Sequence, residues 1–281
     1  QYKWRIAAAV LLLLSGAVYF TIGSGTAKKM ENLAPPLMHQ VYTQPGNRSM
    51  LLLPDGTQVW VNANSKLSYD EGFGKSNRKL LLSGEAYFIA AKNKNLPLTI
   101  HTRQMIVSVV GTTFNVRDYE NEAQSVTSLF EGAVNVVPIA DTTNTYKLKP
   151  NQKLILQNQG AIVALQDSVK GPGQEVNLAA GANPQLPQIT ITGLQIDKAD
   201  SSSYEAAWVN NTLAFSNESF ADIALKMENW YGVDIEFANS GLESIRFTGK
   251  FTSESVTDAL HALQFTARFS FKKNQQKILI Y

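Results

Sequence analysis

The residues able to do chemistry form no catalytic set. Gly74-Lys75-Ser76 ends as a phosphate-binding loop ends, but Tyr69 stands where the first glycine of such a loop belongs. Nucleotide binding is therefore not expected, and Gly72 to Ser76 reads as a basic surface turn. His39, His101 and His261 lie far apart and lack zinc-motif spacing. Glu85 and Glu131 would suit glycoside hydrolysis only if a cleft brought them together, and nothing in the sequence supplies one. Trp60, Trp208 and Trp230 offer faces for a sugar, yet they fall within patterned strands or at a helix end, where tryptophan more often anchors a core or interface. The 281 residues include no cysteine, which removes thiol catalysis, disulfides and the strongest zinc ligands. A formal charge of +2, without a long basic run, gives no electrostatic footprint for nucleic acid. No cofactor and no metal site is expected.

The elements that would position these residues fall into two groups. From about 46 to 166, short alternating runs separated by turns predict an all-β domain, a sandwich, barrel or solenoid. The runs are Ser49 to Leu53, Thr57 to Val61, Leu80 to Leu82, Ala86 to Ala90, Leu98 to Thr102, Met105 to Val110, Thr113 to Arg117, Val126 to Phe130, Ala133 to Val137, Lys153 to Gln157 and Ala161 to Leu165. Residues 167–204 read as a linker, with Gly171-Pro172-Gly173 and Asn183-Pro184, followed by a strand, Gln188 to Ile196, crossing toward the next unit. From 205 to 281 the period changes. Phe220, Ile223, Ala224 and Met227, then Val256, Ala259, Leu260 and Leu263, mark two amphipathic helices, each flanked by strand-like runs. Ser219 with Asp222, and Ser255 with Asp258, supply helix starts, with Asn217 and Ser253 as alternative caps. A small α+β domain of duplicated strand-helix-strand units results, its two halves sharing one sheet.

Residues 6–22 carry no charge, with Lys3 and Arg5 before them and Lys28 and Lys29 after. That length predicts a transmembrane helix, the alternative being a signal peptide cleaved near Gly23, Gly25 and Ala27. Residues 1–5 would end a preceding segment, and 23–45 would form a tether. The flanking charges leave orientation open.

Several stretches resemble the FecR family of anti-sigma factors. They are Leu53-Pro54-Asp55-Gly56-Thr57-Gln58-Val59-Trp60-Val61-Asn62, Ser83-Gly84-Glu85-Ala86-Tyr87-Phe88, Val109-Val110-Gly111-Thr112-Thr113-Phe114-Asn115-Val116 and Glu131-Gly132-Ala133-Val134. Ala207 to Phe215, Trp230-Tyr231-Gly232-Val233 and Phe247-Thr248-Gly249-Lys250-Phe251 look like the small domain that follows FecR, itself similar to the secretin and TonB N-terminal short domain.

The resemblance implies a single-pass inner-membrane protein with residues after about 25 in the periplasm. It would receive a signal from the signalling domain of an outer-membrane TonB-dependent transducer. A cytoplasmic N-terminal part, preceding Gln1 and ending with residues 1–5, would hold an extracytoplasmic-function sigma factor. Some family members cut themselves at a Gly-Thr bond in this motif, which makes Gly111 and Thr112 candidates for attack of the threonine hydroxyl on the preceding carbonyl. The alternative is a glycine needed for a tight bend. A transducer strand could add to an open sheet edge, and the last strand, Lys277, Ile278, Leu279, Ile280 and Tyr281, is the candidate edge. The alternative is a paired strand completing the core. A competing function is a periplasmic sensor that binds a glycan or siderophore directly.

Overall fold

The computed structural model describes residues 38–157 and 187–281. The expected transmembrane helix at 6–22 and the strand at Ala161 to Leu165 lie outside the described residues. Among the described residues, no helix is long and apolar enough to cross a membrane.

Thirteen strands build the first domain: β1 (Met38–Tyr42), β2 (Ser49–Leu52), β3 (Gln58–Val61), β4 (Lys66–Asp70), β5 (Lys79–Ile89), β6 (Leu98–His101), β7 (Met105–Val109), β8 (Thr113–Asp118), β9 (Gln124–Glu131), β10 (Val134–Pro138), β11 (Tyr146–Leu148), β12 (Gln152–Gln157) and β13 (Ile189–Gly193). They form two layers that share β5. One runs β1-β4-β5-β6-β7-β10-β11 and the other β2-β3-β5-β8-β9-β12-β13. Of the arrangements expected, the sandwich is the one formed. Alternating residues of both layers meet in one core: Leu80, Leu98, Ile100 and Val107 from the first, Val59, Phe88, Phe114 and Leu154 from the second. Thr127 on β9 donates to the Met105 sulfur on β7 at 3.2 Å, across the gap between layers.

Gly84 is where β5 passes from one layer to the other. Ser83 is the last β5 residue paired with β4, and Gly84 the first paired with β8. Its φ is +102°, and a Cβ there would lie 2.3 Å from the Ser65 hydroxyl. Glycine at this corner lets one strand serve both sheets, which is why the two expected runs around it are a single strand.

Three expectations change. The tether already contains β1, paired with β4. The strand after the linker does not cross to the next unit: β13 pairs with β12 and extends the sandwich. The second domain does not place its halves in one sheet. It comprises a 3-10 helix (Tyr204–Asn210), β14 (Leu213–Ser219), α1 (Phe220–Tyr231), β15 (Asp234–Phe237), a short 3-10 turn (Ser240–Leu242), β16 (Arg246–Phe251), α2 (Val256–Gln264), β17 (Phe271–Asn274) and β18 (Lys277–Ile280). The first strands of the two repeats, β14 and β16, pair with each other. Their second strands, β15 and β17, flank β18 in a separate three-stranded sheet. Both helices lay their apolar stripes on one core around Phe215, Phe220, Leu260 and Ile280. Each begins as the sequence indicates. Ser219 accepts from the Asp222 amide, and Ser255 with Asp258 completes a reciprocal capping box.

The candidate edge at Lys277 to Tyr281 is thereby corrected. β18 is hydrogen-bonded on both sides, parallel to β15 and antiparallel to β17. Ile278 and Ile280 point into the core, so the strand completes the domain and offers no free edge.

Candidate functional site

The outer face of the second layer is set by strand alternation. Because Ala86, Phe88, Phe114 and Val116 face the core, Glu85, Asn115 and Arg117 face away from it. Glu85 pairs across the strands with Arg117, and Tyr87 with Asn115. This outward carboxylate is nevertheless only 3% exposed. It accepts hydrogen bonds from Asn62 Nδ2 at 2.7 Å, Asn115 Nδ2 at 2.8 Å and Arg117 Nη1 at 3.0 Å. The Glu85 amide donates to Ser65, and Tyr119 closes the group by donating to the Ala63 carbonyl at 2.7 Å.

Arg117 turns its other nitrogens to Glu122, with Nε 2.7 Å from Oε2. Two carboxylates thus share one guanidinium. Desolvation opposes the charge on Arg117, but Glu122 and Glu85 outweigh it and hold the arginine firmly protonated. Burial and the Glu85 charge raise Glu122 above the ordinary carboxylate range, against the pull of Arg117. Burial likewise pushes the Tyr119 phenol far up.

The second domain covers this face. Trp208, in the 3-10 helix and 7% exposed, donates its indole N–H to Asn115 Oδ1 at 3.3 Å. Lys153 on β12 meets Glu205 at 2.7 Å; although burial disfavours its charge, Lys153 and Ser203 hold Glu205 below its usual range. The turn between β1 and β2 supplies the other fastening. Arg48 lies 3.8 Å over the Trp230 ring and donates to Asn211 at 2.7 Å, and the Gly46 amide donates to the Asn229 carbonyl at 2.7 Å. Asn64 donates to the Asn229 side chain at 3.0 Å.

Between the two domains remains a cleft of about 350 Å³, lined by Glu85, Arg117 and Glu122 of the first domain and by Trp208, Lys226, Trp230 and Arg246 of the second. Lys226 is ion-paired with Glu218, and Arg246 donates to the Asn217 side chain at 3.0 Å. The Ser128 hydroxyl in the lining of the cleft is buried and has no hydrogen-bond partner among the described residues.

The other candidates are scattered. His39 stacks on Tyr69 at 5.0 Å, His101 lies in β6, and His261 sits on the exposed face of α2. Among the described residues, no group of His, Asp and Glu could hold a metal. Glu131 is paired with Thr113 at the opposite end of β8 from Arg117, so it and Glu85 do not converge. Gly72 to Asn77 is a turn closed by Asp70, with no helix behind it to receive a phosphate. Trp60 packs edge-on to Tyr87 at 5.7 Å across β3 and β5.

Gly111 has φ +153°, and a Cβ there would lie 2.9 Å from Lys92 Cβ. Gly132 packs flat against the Gly111-Thr112 peptide, where a Cβ would come 2.9 Å from Thr112 Oγ1 and 3.0 Å from the Gly111 oxygen. Thr112 is buried and donates its hydroxyl to the Ala133 carbonyl at 3.0 Å, which is not a base able to activate it.

Sequence reading did not assemble Asn62, Asn115, Arg117, Glu122 and Trp208. The signal available was the alternation that puts Asn115 and Arg117 on one face with Glu85. Their covering, by a domain far along the chain, had no local sign.

Residues 39–135 match the family model described as FecR protein, and residues 212–280 match that described as FecR, C-terminal. No curated protein matches. Two crystal structures of an inferred anti-sigma factor from Parabacteroides distasonis, at 1.65 and 2.50 Å resolution, share the fold. They superpose with a TM-score of 0.69 in each case at 21% and 22% identity, and the alignments cover 86% and 87% of this chain and 98% and 99% of theirs. The two FecR models together cover more than half of the sequence, and both domains that they describe are present as folded units, so the chain belongs to the FecR family.

Proposed function

We propose that this chain is the signal-receiving part of an anti-sigma factor. It relays the state of an outer-membrane TonB-dependent transducer to an extracytoplasmic-function sigma factor and so controls nutrient-uptake genes. Family membership supports the reading, and the anti-sigma description of the two structures with the same fold agrees with it. The observation that carries it is the fastening of the α+β domain onto the sandwich through Trp208, Asn115 and Glu85. A partner engaging the α+β domain pulls on a buried hydrogen-bonded chain that ends inside the sandwich. In this reading the apolar segment at 6–22 anchors the chain in the inner membrane, and family membership supports a periplasmic side for the two domains. Removing the protein from its cell should change transcription of the sigma factor's target genes when the transducer is engaged. Unchanged transcription would overturn the reading.

The cleft favours one second reading, direct sensing of a small neutral polar ligand. Trp208 and Trp230 line it, and Ser128 offers an unused hydroxyl. Saturable binding of a sugar or siderophore by the chain alone would support that reading over the first.

A further inference from the structure

The three-stranded sheet of the second domain has two outer strands, and they are finished differently. On β15, the Asp234 and Ala238 amides donate to the β18 side. The Ile235 amide points away and is taken by the Glu228 carboxylate at 2.8 Å. A side chain of the protein thus occupies that edge.

On β17 the pattern is set by the reciprocal bonds between Ser270 and Tyr281. In the antiparallel register that follows, Lys272 and Asn274 face β18, whereas the amides and carbonyls of Phe271 and Lys273 point outward. Among the described residues, no acceptor meets those two amides. Residues 267–277 contain Arg268, Lys272, Lys273 and Lys277 and no acidic residue. Lys277 approaches Asp234 at 3.6 Å, but Arg268, Lys272 and Lys273 have no ion pair among the described residues. Beside the edge, His261 packs on Phe271 at 5.0 Å, and one turn further along the same face of α2 Phe265 is 91% exposed.

We propose that β17 is a docking edge for an extended acidic segment of a partner protein, which adds as a further strand and packs against Phe265. Outward main-chain groups supply affinity, and the adjacent Lys272 and Lys273, one on each face of the strand, select carboxylates. A second copy of this chain does not fit, because antiparallel pairing of β17 with itself would oppose lysine to lysine. The inference rests on the relay reading above for its partner, the signalling domain of the transducer.

The test is amide hydrogen exchange of the full chain with and without that signalling domain, beside affinity measurements on Lys273→Pro and on Lys272→Glu/Lys273→Glu. Proline removes an outward amide and leaves the bonds to β18 intact, and the charge reversal keeps the backbone if the first variant misfolds. The expected result is slowed exchange at Phe271 and Lys273 and at least a tenfold loss of affinity in a folded variant. Binding by the wild type with unchanged exchange at both amides and full affinity in both variants would overturn the edge and leave the relay reading standing. No binding by the wild type would overturn the relay reading and the partner named here together.

Discussion

Trp208 and Asn115, 93 positions apart in sequence, meet through an indole-to-amide hydrogen bond of 3.3 Å, and Asn115 hands the contact on to Glu85 at 2.8 Å. The indole is the plug that holds the α+β domain against the sandwich. Trp208→Ala should cost about 3 kcal/mol, the scale for deleting a large buried aromatic. It should also open the segment around residues 204–212 to protease. Trp208→Phe keeps most of the packing and loses one hydrogen bond, about 1 kcal/mol. Chemical denaturation with limited proteolysis separates the two effects.

Glu122 gives the fold a pH dependence of definite sign. Burial raises its native pKa above the ordinary carboxylate value of the unfolded chain. Between the unfolded and native values the native state keeps a proton that the unfolded state has released, so this group's contribution to stability falls as pH rises through that window. Wild type should therefore gain stability relative to Glu122→Gln on going from pH 7.5 to about 4.5. Urea titrations at the two pH values check it; a constant difference would contradict the assignment.

At Gly84 the strand corner tolerates no side chain. With φ +102° and Ser65 Oγ 2.3 Å from the place a Cβ would take, Gly84→Ala must displace Ser65, whose hydroxyl accepts from the Glu85 amide. A loss of about 2 kcal/mol or more is expected, seen as a lower unfolding midpoint.

Self-cleavage between Gly111 and Thr112 would proceed by attack of Thr112 Oγ on the Gly111 carbonyl carbon. The peptide C–N bond breaks, the hydroxyl proton goes to the departing amine, and water then opens the ester. Because Thr112 Oγ1 donates to a backbone carbonyl, the reaction must draw on the backbone shape at Gly111 and Gly132. Intact-mass measurement decides between this reaction and a purely structural glycine: a fragment boundary after residue 111 in wild type and none in Thr112→Ala would establish the reaction. The same masses from both proteins would exclude the reaction.

What was legible in the sequence was local. Ser219 and Ser255 cap their helices because the serine and the acid three residues later are all that such a cap requires. Alternation placed Val59, Phe88 and Phe114 in the core. The order of strands was not legible. Nothing in Lys277 to Ile280 distinguishes a central strand from an edge, and its place between β15 and β17 follows from how the two repeats pack. The return of β13 to β12 and the meeting of Trp208 with Asn115 depend on contacts that span long stretches of chain. Nor was the burial of Glu85 legible, because Asn62 after β3 and Asn115 and Arg117 on β8, which enclose its carboxylate, come from other parts of the chain.

Signal reception is tested by calorimetric titration of the transducer's signalling domain into the full chain. Saturable one-to-one binding is expected, with a Kd of about 1 μM or tighter, roughly 8 kcal/mol. No heat of binding to a folded chain, together with saturable binding of a free sugar or siderophore, would contradict it.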